Sequence, residues 1–335
     1  MLTGASGFAG AHMLKFLMEH TDCFVYCPVT FNHGGHRDRI PALISSKYLN
    51  RYELINHDLA IDSLELNFSK LSIDSVINFA SESHVDRSIS QPLNFVENNI
   101  NLMINLLEFL RKYPNIPLIH ISTDEVYGSL NKTTVNKEWT QLNLPSNPYS
   151  ASKSAQESLA FAYFATFKLS ITIINATNMV GEAQNCEKFV PKVISRIISG
   201  EKINVDTDEN GNIGSRKYLY VGDLVEAVWK VIKLKDKVYD NFKPSRFHVS
   251  GSSELSNLEM VNLISDFLAK PANIEISPSP RTGYDLRYEL NSERIRALGW
   301  SERNTINKVI ENMIKWTAER PEWLFNDYPI NLKNE

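Results

Sequence analysis

Along the first 180 residues, short apolar runs alternate with stretches whose apolar positions recur at helical spacing. The runs at 24–29, 52–55, 75–79, 118–121 and 171–174 read as strands, because each is brief, largely apolar and rich in β-branched or aromatic residues. Between them, 11–19, 99–113 and 151–167 carry the period of amphipathic helices. Strands alternating with helices of this length predict βαβ units and a parallel sheet covered on both faces. Right-handed crossovers then make the sheet doubly wound. Past residue 180 the pattern loosens. Helices are expected over 188–199, 221–234, 257–268 and 305–320, and a strand at 247–249. A polar turn spans 206–211, and Pro278, Pro280 and Gly283 mark a loop. No internal repeat, heptad array or low-complexity tract interrupts this order.

Composition narrows the function classes. A length of 335 residues suits one large or two medium domains. With 43% hydrophobic and 22% charged residues the chain is expected to fold. Lys plus Arg number 35 against 39 Asp plus Glu, a net charge of −4, which argues against a broad nucleic-acid-binding surface. No apolar run reaches the roughly 18 residues of a membrane helix. Gly4, Ser6 and Gly7 break any leader pattern at the start. The expectation is a cytoplasmic protein with neither membrane nor nucleic-acid partners. Three cysteines are too few for a disulfide scaffold, and Cys23 and Cys27 lack His or Cys pairs at zinc spacing, so no metal is expected.

Thr3-Gly4-Ala5-Ser6-Gly7-Phe8-Ala9-Gly10 places three glycines ahead of an amphipathic helix. Glycines allow a tight turn and close approach to a pyrophosphate, and a helix N-terminus offers unpaired N–H groups. At the head of a βαβ series this pattern points to dinucleotide binding, hence a Rossmann-type sheet. Only Met1 and Leu2 precede Thr3, whereas a strand usually needs about five residues. Either the first strand is very short or the recorded start is truncated. NAD-preferring folds usually carry an acid after the second strand. Here 28–37 has none, and His33, His36, Arg37 and Arg39 surround the position. NAD is preferred, with NADP as the alternative; Thr30 or Asn32 could instead take the ribose diol. Asp58 and Leu59, after the third strand, are placed to meet the adenine.

Tyr149 and Lys153 lie four residues apart at a helix start, so they share a helix face. A lysine ammonium beside the phenol is expected to lower its pKa, letting Tyr149 accept an alcohol proton as hydride leaves the carbon. Ser122-Thr123-Asp124-Glu125-Val126-Tyr127-Gly128 follows a strand, at the end where open parallel sheets build sites. Two adjacent acids there suit a general acid and general base whose environments split their pKa values; helix capping by Asp124 is the alternative.

Together these segments resemble the extended short-chain dehydrogenase/reductases, the NAD-dependent epimerase/dehydratase family, and most of all its dTDP-glucose 4,6-dehydratase group. The resemblance continues through Glu-Ser-His-Val-Asp-Arg from Glu82, Asn-Pro-Tyr-Ser-Ala-Ser-Lys from Asn147, Glu-Lys-Phe-Val-Pro from Glu187 and Arg-Lys-Tyr-Leu-Tyr from Arg216. Arg-Thr-Gly-Tyr-Asp-Leu-Arg-Tyr from Arg281 and Leu-Gly-Trp from Leu298 complete it. The Thr-Asp-Glu triplet is its most specific part, since related epimerases usually carry small or hydroxyl residues at the two acids. The resemblance implies a smaller C-terminal α/β domain for the nucleotide sugar over 181–335, behind a cofactor domain over 1–180 that carries the catalytic residues. The chain could cross back between the two.

The resemblance also implies a mechanism. Retained NAD takes hydride from sugar C4 while Tyr149, supported by Lys153, takes the hydroxyl proton and Thr123 bonds the C4 oxygen. Glu125 removes the C5 proton, Asp124 protonates the leaving C6 hydroxyl, and hydride returns to C6, giving a 4-keto-6-deoxy sugar. By the same resemblance Gly4, Gly7, Phe8, Ala9, Gly10, Asp58, Leu59, Phe79, Ala80, Ser81, Asn99, Tyr149 and Lys153 bind the cofactor. His84, Thr123, Asn178, Glu187 and Lys188 meet the substrate, Arg216 and Arg281 its diphosphate, and Tyr288 its base-binding end. A homodimer through the helices near 99–113 and 149–167 is implied as well. Two stretches depart from the family pattern: 30–40, and 178–185 in place of a Tyr-Gly-Pro type sequence. They keep epimerase, decarboxylase and 5,6-dehydratase chemistry open as alternatives. A non-catalytic nucleotide- or RNA-binding role is disfavoured by the intact Thr123, Tyr149 and Lys153.

Overall fold

The computed structural model describes residues 1–31, 34–129, 135–139, 143–234, 244–280 and 284–325. Its strands are β1 (Leu2–Thr3), β2 (Val25–Val29), β3 (Tyr52–Asn56), β4 (Val76–Asn78), β5 (Leu118–Thr123), β6 (Ile171–Ala176), β7 (Asn178–Val180), β8 (Lys202–Thr207), β9 (Ser215–Tyr220), β10 (Ser245–Val249), β11 (Glu254–Ser256) and β12 (Asn273–Pro278). The central sheet runs β1-β4-β5-β6-β10, parallel throughout. β2 and β3 form a parallel pair, with β2 lying against β1. The chain therefore steps outward from β1 on one side and from β4 on the other, and a crevice opens where the two directions part.

β5 and β6 are buried along their whole length, as a sheet covered on both faces demands. On one face, Met13, Leu14 and Leu17 of the helix Phe8–His20 pack with Leu224 and Val228 of the helix Val221–Lys233. On the other, Leu102, Leu106 and Leu110 of the helix Pro92–Lys112 pack near Ala160 of the helix Pro148–Phe167. Each leucine buried this way stabilises the fold by about 1.5–3 kcal/mol. A further cluster gathers Val193, Ile194, Met260, Ile264 and Ile310 from three helices. It is flanked by the β11-β9-β7 sheet and the β12-β8 pair. β10 joins the central sheet beside β6 although it comes late in the chain.

Several boundaries differ from expectation, for local reasons. The helix foreseen at 99–113 begins at Pro92, whose fixed φ suits the first turn. The one foreseen at 151–167 begins at Pro148, because Asn147 and Ser150 form a reciprocal capping box. That cap places Tyr149 in the first turn. β1 is two residues long. The strands β7, β8, β9, β11 and β12 were not foreseen; their exposures are mixed rather than continuously buried. Gly283 lies outside the described residues.

Candidate active site

The glycine loop joins β1 to the first helix. Gly4 has φ +71, a left-handed conformation, and a Cβ there would lie 2.7 Å from the Ala80 nitrogen. A Cβ on Gly10 would lie 2.1 Å from the Gly4 carbonyl oxygen, so the helix packs onto the loop only because that position is bare. The helix starts at Phe8 with Gly7 as its cap, and no side chain caps it among the described residues. Its first N–H groups thus face the cleft, a good fit for a pyrophosphate. The cleft runs from Gly4, Gly7, Phe8, Ala9 and Gly10 past Asp58, Leu59, Phe79, Ala80 and Ser81 to Thr123, Tyr149 and Lys153.

Asn99 is not on this surface. It is fully buried, and its amide bonds the Glu82 N–H (2.8 Å), the Glu82 carbonyl (3.1 Å) and Ser152 Oγ (2.9 Å). It braces the loop after β4 instead of facing a cofactor. The basic group after β2 needs correction too. Arg39 is fully buried and bonded to protein acceptors, so it is not available to a 2′-phosphate. Asn32 and His33 lie outside the described residues.

The acids stand at the end of β5. The Thr123 hydroxyl donates to Asp124 Oδ1 (3.1 Å) and accepts from the Glu125 N–H (3.3 Å). It also hydrogen-bonds Tyr149. Thus Asp124 does not cap a helix; Thr123 caps the short turn Asp124–Tyr127. Asp124 is 3% exposed, and its Oδ2 has no hydrogen-bond partner among the described residues. Burial first and the Glu125 charge second push its pKa up to about 7. Glu125 is also raised by burial, opposed by Arg216 and Lys188 and by a hydrogen bond from Asn147. Both acids are therefore displaced upward, Asp124 as far as about 7.

Tyr149 corrects an expectation. Its pKa is raised, not lowered: burial dominates, and Glu125 and Asp124 add to it, against the hydrogen bond with Thr123. Lys153 aims two of its N–H groups at the Ile121 carbonyl (2.9 Å) and Gln156 Oε1 (2.8 Å). Burial pushes the Lys153 pKa down to about 7. Its third N–H remains for the cleft, which both residues line.

The substrate-side candidates divide. Asn178, Glu187 and Lys188 line the cleft with the catalytic group. Lys188 Nζ donates to the Ser83 carbonyl (2.7 Å). His84 caps the helix Val85–Ser90 through Nδ1, and its Nε2 stands 3.6 Å from Glu187. Arg216 does not present a free fork for phosphate: it donates to the carbonyls of Ser215 (2.8 Å), Leu286 (3.1 Å) and Asp285 (2.9 Å). It lies over the Tyr288 ring at 4.7 Å and within electrostatic reach of both acids. Tyr288 is buried, bonded to Asp285 and within electrostatic reach of Glu125. Arg281 lies outside the described residues.

Residues 1–313 match the family described as GDP-mannose 4,6 dehydratase. The chain belongs to this family. One relative is dTDP-glucose 4,6-dehydratase of Haemophilus influenzae, 31% identical over 97% of this chain and 98% of its own. Among solved structures, dTDP-glucose 4,6-dehydratase of Streptomyces venezuelae with NAD and TYD bound has a TM-score of 0.85 at 26% identity. That alignment covers 96% of this chain and 98% of the other. UDP-glucose 4-epimerase of Thermotoga maritima has a TM-score of 0.83 at 20% identity, covering 96% of this chain and 98% of the other, which is a likeness of fold.

Beneath this family site lies a buried polar network that the sequence reading missed. Glu157, fully buried, pairs with Arg246 of β10, which is packed between the rings of Trp139 and Phe161 at 5.0 Å each. Asn175 of β6 links Glu157 Oε1 (2.7 Å) to the Thr123 carbonyl (3.0 Å). Glu157 also opposes the loss of charge on Lys153. One signal was available: Tyr149, Lys153 and Glu157 recur every fourth residue along one helix face.

Proposed function

We propose that this chain is a nucleotide-sugar 4,6-dehydratase that uses NAD and converts an NDP-hexose, dTDP-glucose or a similar one, to the NDP-4-keto-6-deoxy sugar. The Thr123-Asp124-Glu125 triplet beside Tyr149, with Thr123 and Asp124 buried and Glu125 half-buried, carries this reading. Redox at a carbinol needs the tyrosine; two acids of raised pKa next to it serve the removal of water from neighbouring carbons. NAD, when bound, supplies the hydride acceptor for C4 and the hydride donor for C6. Tyr149 takes the C4 hydroxyl proton in its ionised form, which burial and the neighbouring acids oppose, and Thr123 bonds the C4 oxygen. The C4 ketone acidifies C5–H, and Glu125 removes that proton. Asp124, about half protonated near pH 7, gives its proton to the C6 hydroxyl, which leaves as water. Glu125 then returns a proton to C5 as C6 becomes a methyl group.

In this proposal residues 1–180 hold the cofactor and catalytic groups and residues 181–335 hold the nucleotide sugar, with β10 crossing back into the first sheet. We further propose a cytoplasmic homodimer through the helices Pro92–Lys112 and Pro148–Phe167, where Leu93 and Phe167 are exposed. No described helix is long and apolar enough to cross a membrane. The test is incubation of purified protein and NAD with dTDP-glucose, UDP-glucose, GDP-mannose and UDP-N-acetylglucosamine, followed by mass spectrometry and NMR. Loss of one water with a new C6 methyl signal supports the proposal and names the substrate. Unchanged mass with altered configuration, or an exocyclic alkene without a methyl, refutes it.

A further inference from the structure

The two stretches in which this chain departs from the family pattern are bonded to each other. Arg39 is the link. Its Nε donates to the Ala183 carbonyl (3.0 Å), one terminal nitrogen to the carbonyls of Ser6 (2.5 Å) and Gly34 (2.9 Å), and the other to Asn185 Oδ1 (2.9 Å). One fully buried guanidinium therefore ties the glycine loop to the loop 181–185. That loop is held firmly. Ala183 is buried with φ +58, a conformation an alanine adopts only where its surroundings impose it, and His12 Nε2 is 2.9 Å from the Glu182 carbonyl.

The clasp has a chemical consequence. Arginine offers only donors, so the Asn185 atom facing it is the amide oxygen. The amide nitrogen must then point the other way. It lies 3.9 Å from where a Cβ of Gly34 would stand, and Asn185 and Gly34 both line the cleft near Ser6 and Gly7. Asn185 thus presents two N–H donors at the cofactor end, and only an acceptor can satisfy them.

We infer that Asn185, oriented by Arg39, binds an acceptor oxygen of the dinucleotide, on its diphosphate or its adenosine ribose, and so retains the cofactor from the substrate side of the cleft. This rests on the proposed use of NAD. Retention suits that reaction, because the hydride taken from C4 must return to C6 of the same sugar. Arg39 is the positioning residue and Asn185 the binding residue.

The decisive variant is Asn185→Asp. A carboxylate pairs with Arg39 at least as well as the amide does, so the fold is kept, but it has no donor and repels phosphate. NAD dissociation, followed by quenching of protein fluorescence, is expected to quicken at least about tenfold in Asn185→Asp and several-fold in Asn185→Ala. The thermal midpoint of Asn185→Asp should equal or exceed that of the parent. A penalty with ADP-ribose that is absent with adenosine assigns the acceptor to the diphosphate; a penalty with both assigns it to the ribose. Unchanged NAD dissociation in Asn185→Asp overturns the inference while leaving the proposed function intact. So does a penalty that falls on dTDP binding instead of NAD. A parent protein that binds no NAD overturns both.

Discussion

Replacing Asp124 by Asn should stabilise the protein, and by more at higher pH. The carboxyl is 3% exposed, with one oxygen bonded to Thr123 and the other without a partner among the described residues. Burial and Glu125 raise its pKa from 3.8 to about 7. Between those values the folded protein holds a proton that the unfolded chain releases. Stability therefore falls as pH rises through this window and levels off above about 7. A shift of about three units corresponds to a ceiling of about 4 kcal/mol once the folded carboxyl is ionised. At pH 5 the folded carboxyl is still protonated and the penalty is only about 2 kcal/mol. Asparagine does not titrate, so the stability gap between variant and parent should widen by about 2–3 kcal/mol from pH 5 to pH 8. Urea unfolding of both proteins at the two pH values measures it, and comparing the gaps cancels any fixed cost of the amide. Dehydration should fall by about 10²–10⁴-fold as the C6 hydroxyl loses its acid. A gap that does not change with pH would refute the reasoning, because Asp124 would then have to be ionised throughout.

Two further perturbations probe the frame around the acids. Glu157→Gln should destabilise the protein by about 3–5 kcal/mol by leaving Arg246 buried without its countercharge. The pair Glu157→Gln with Arg246→Met should recover most of that loss in urea unfolding; no recovery would mean that Arg246 is not the partner that matters. Gly10→Ala should cost about 1–3 kcal/mol and abolish NAD binding in calorimetric titration, since its Cβ would lie 2.1 Å from the Gly4 carbonyl. Parent-like affinity would show that the loop and helix can part without harm.

What was legible in the sequence follows the range of the interactions. β5 and β6 stood out because strands buried on both faces begin as runs that are largely apolar and β-branched. β8 and β12 did not: they pair in parallel from distant parts of the chain, and their exposed positions include Lys202, Asn204, Asn273 and Glu275. The helix starts at Pro92 and Pro148 were readable in principle, since Asn147-Pro148 is a cap followed by a first-turn proline. Arg39 was not. A charged residue in the first turn of a short helix is ordinarily at the surface, and the burial of Arg39 depends on acceptors at Ser6, Gly34, Ala183 and Asn185 that only the tertiary fold assembles.

The same limit explains why the composition of the site was visible while its electrostatics were not. Spacing brings Tyr149 and Lys153 together, but proton affinity depends on everything around them. Seen as a pair, the lysine should depress the phenol. Seen in the fold, the phenol lies beside two acids in a buried pocket, and Lys153 itself loses part of its charge to burial, against the pull of Glu157. Asp124, Glu125, Tyr149 and Lys153 are thus each displaced towards the neutral form. A site that must move protons on and off sugar carbons in succession needs such groups, because a fully ionised acid cannot donate and a fully protonated one cannot accept. The burial that makes Asp124 costly to the fold also brings its pKa close to neutrality. Lost stability and proton-transfer capacity at this position therefore have one cause, and a variant that gains the first should lose the second.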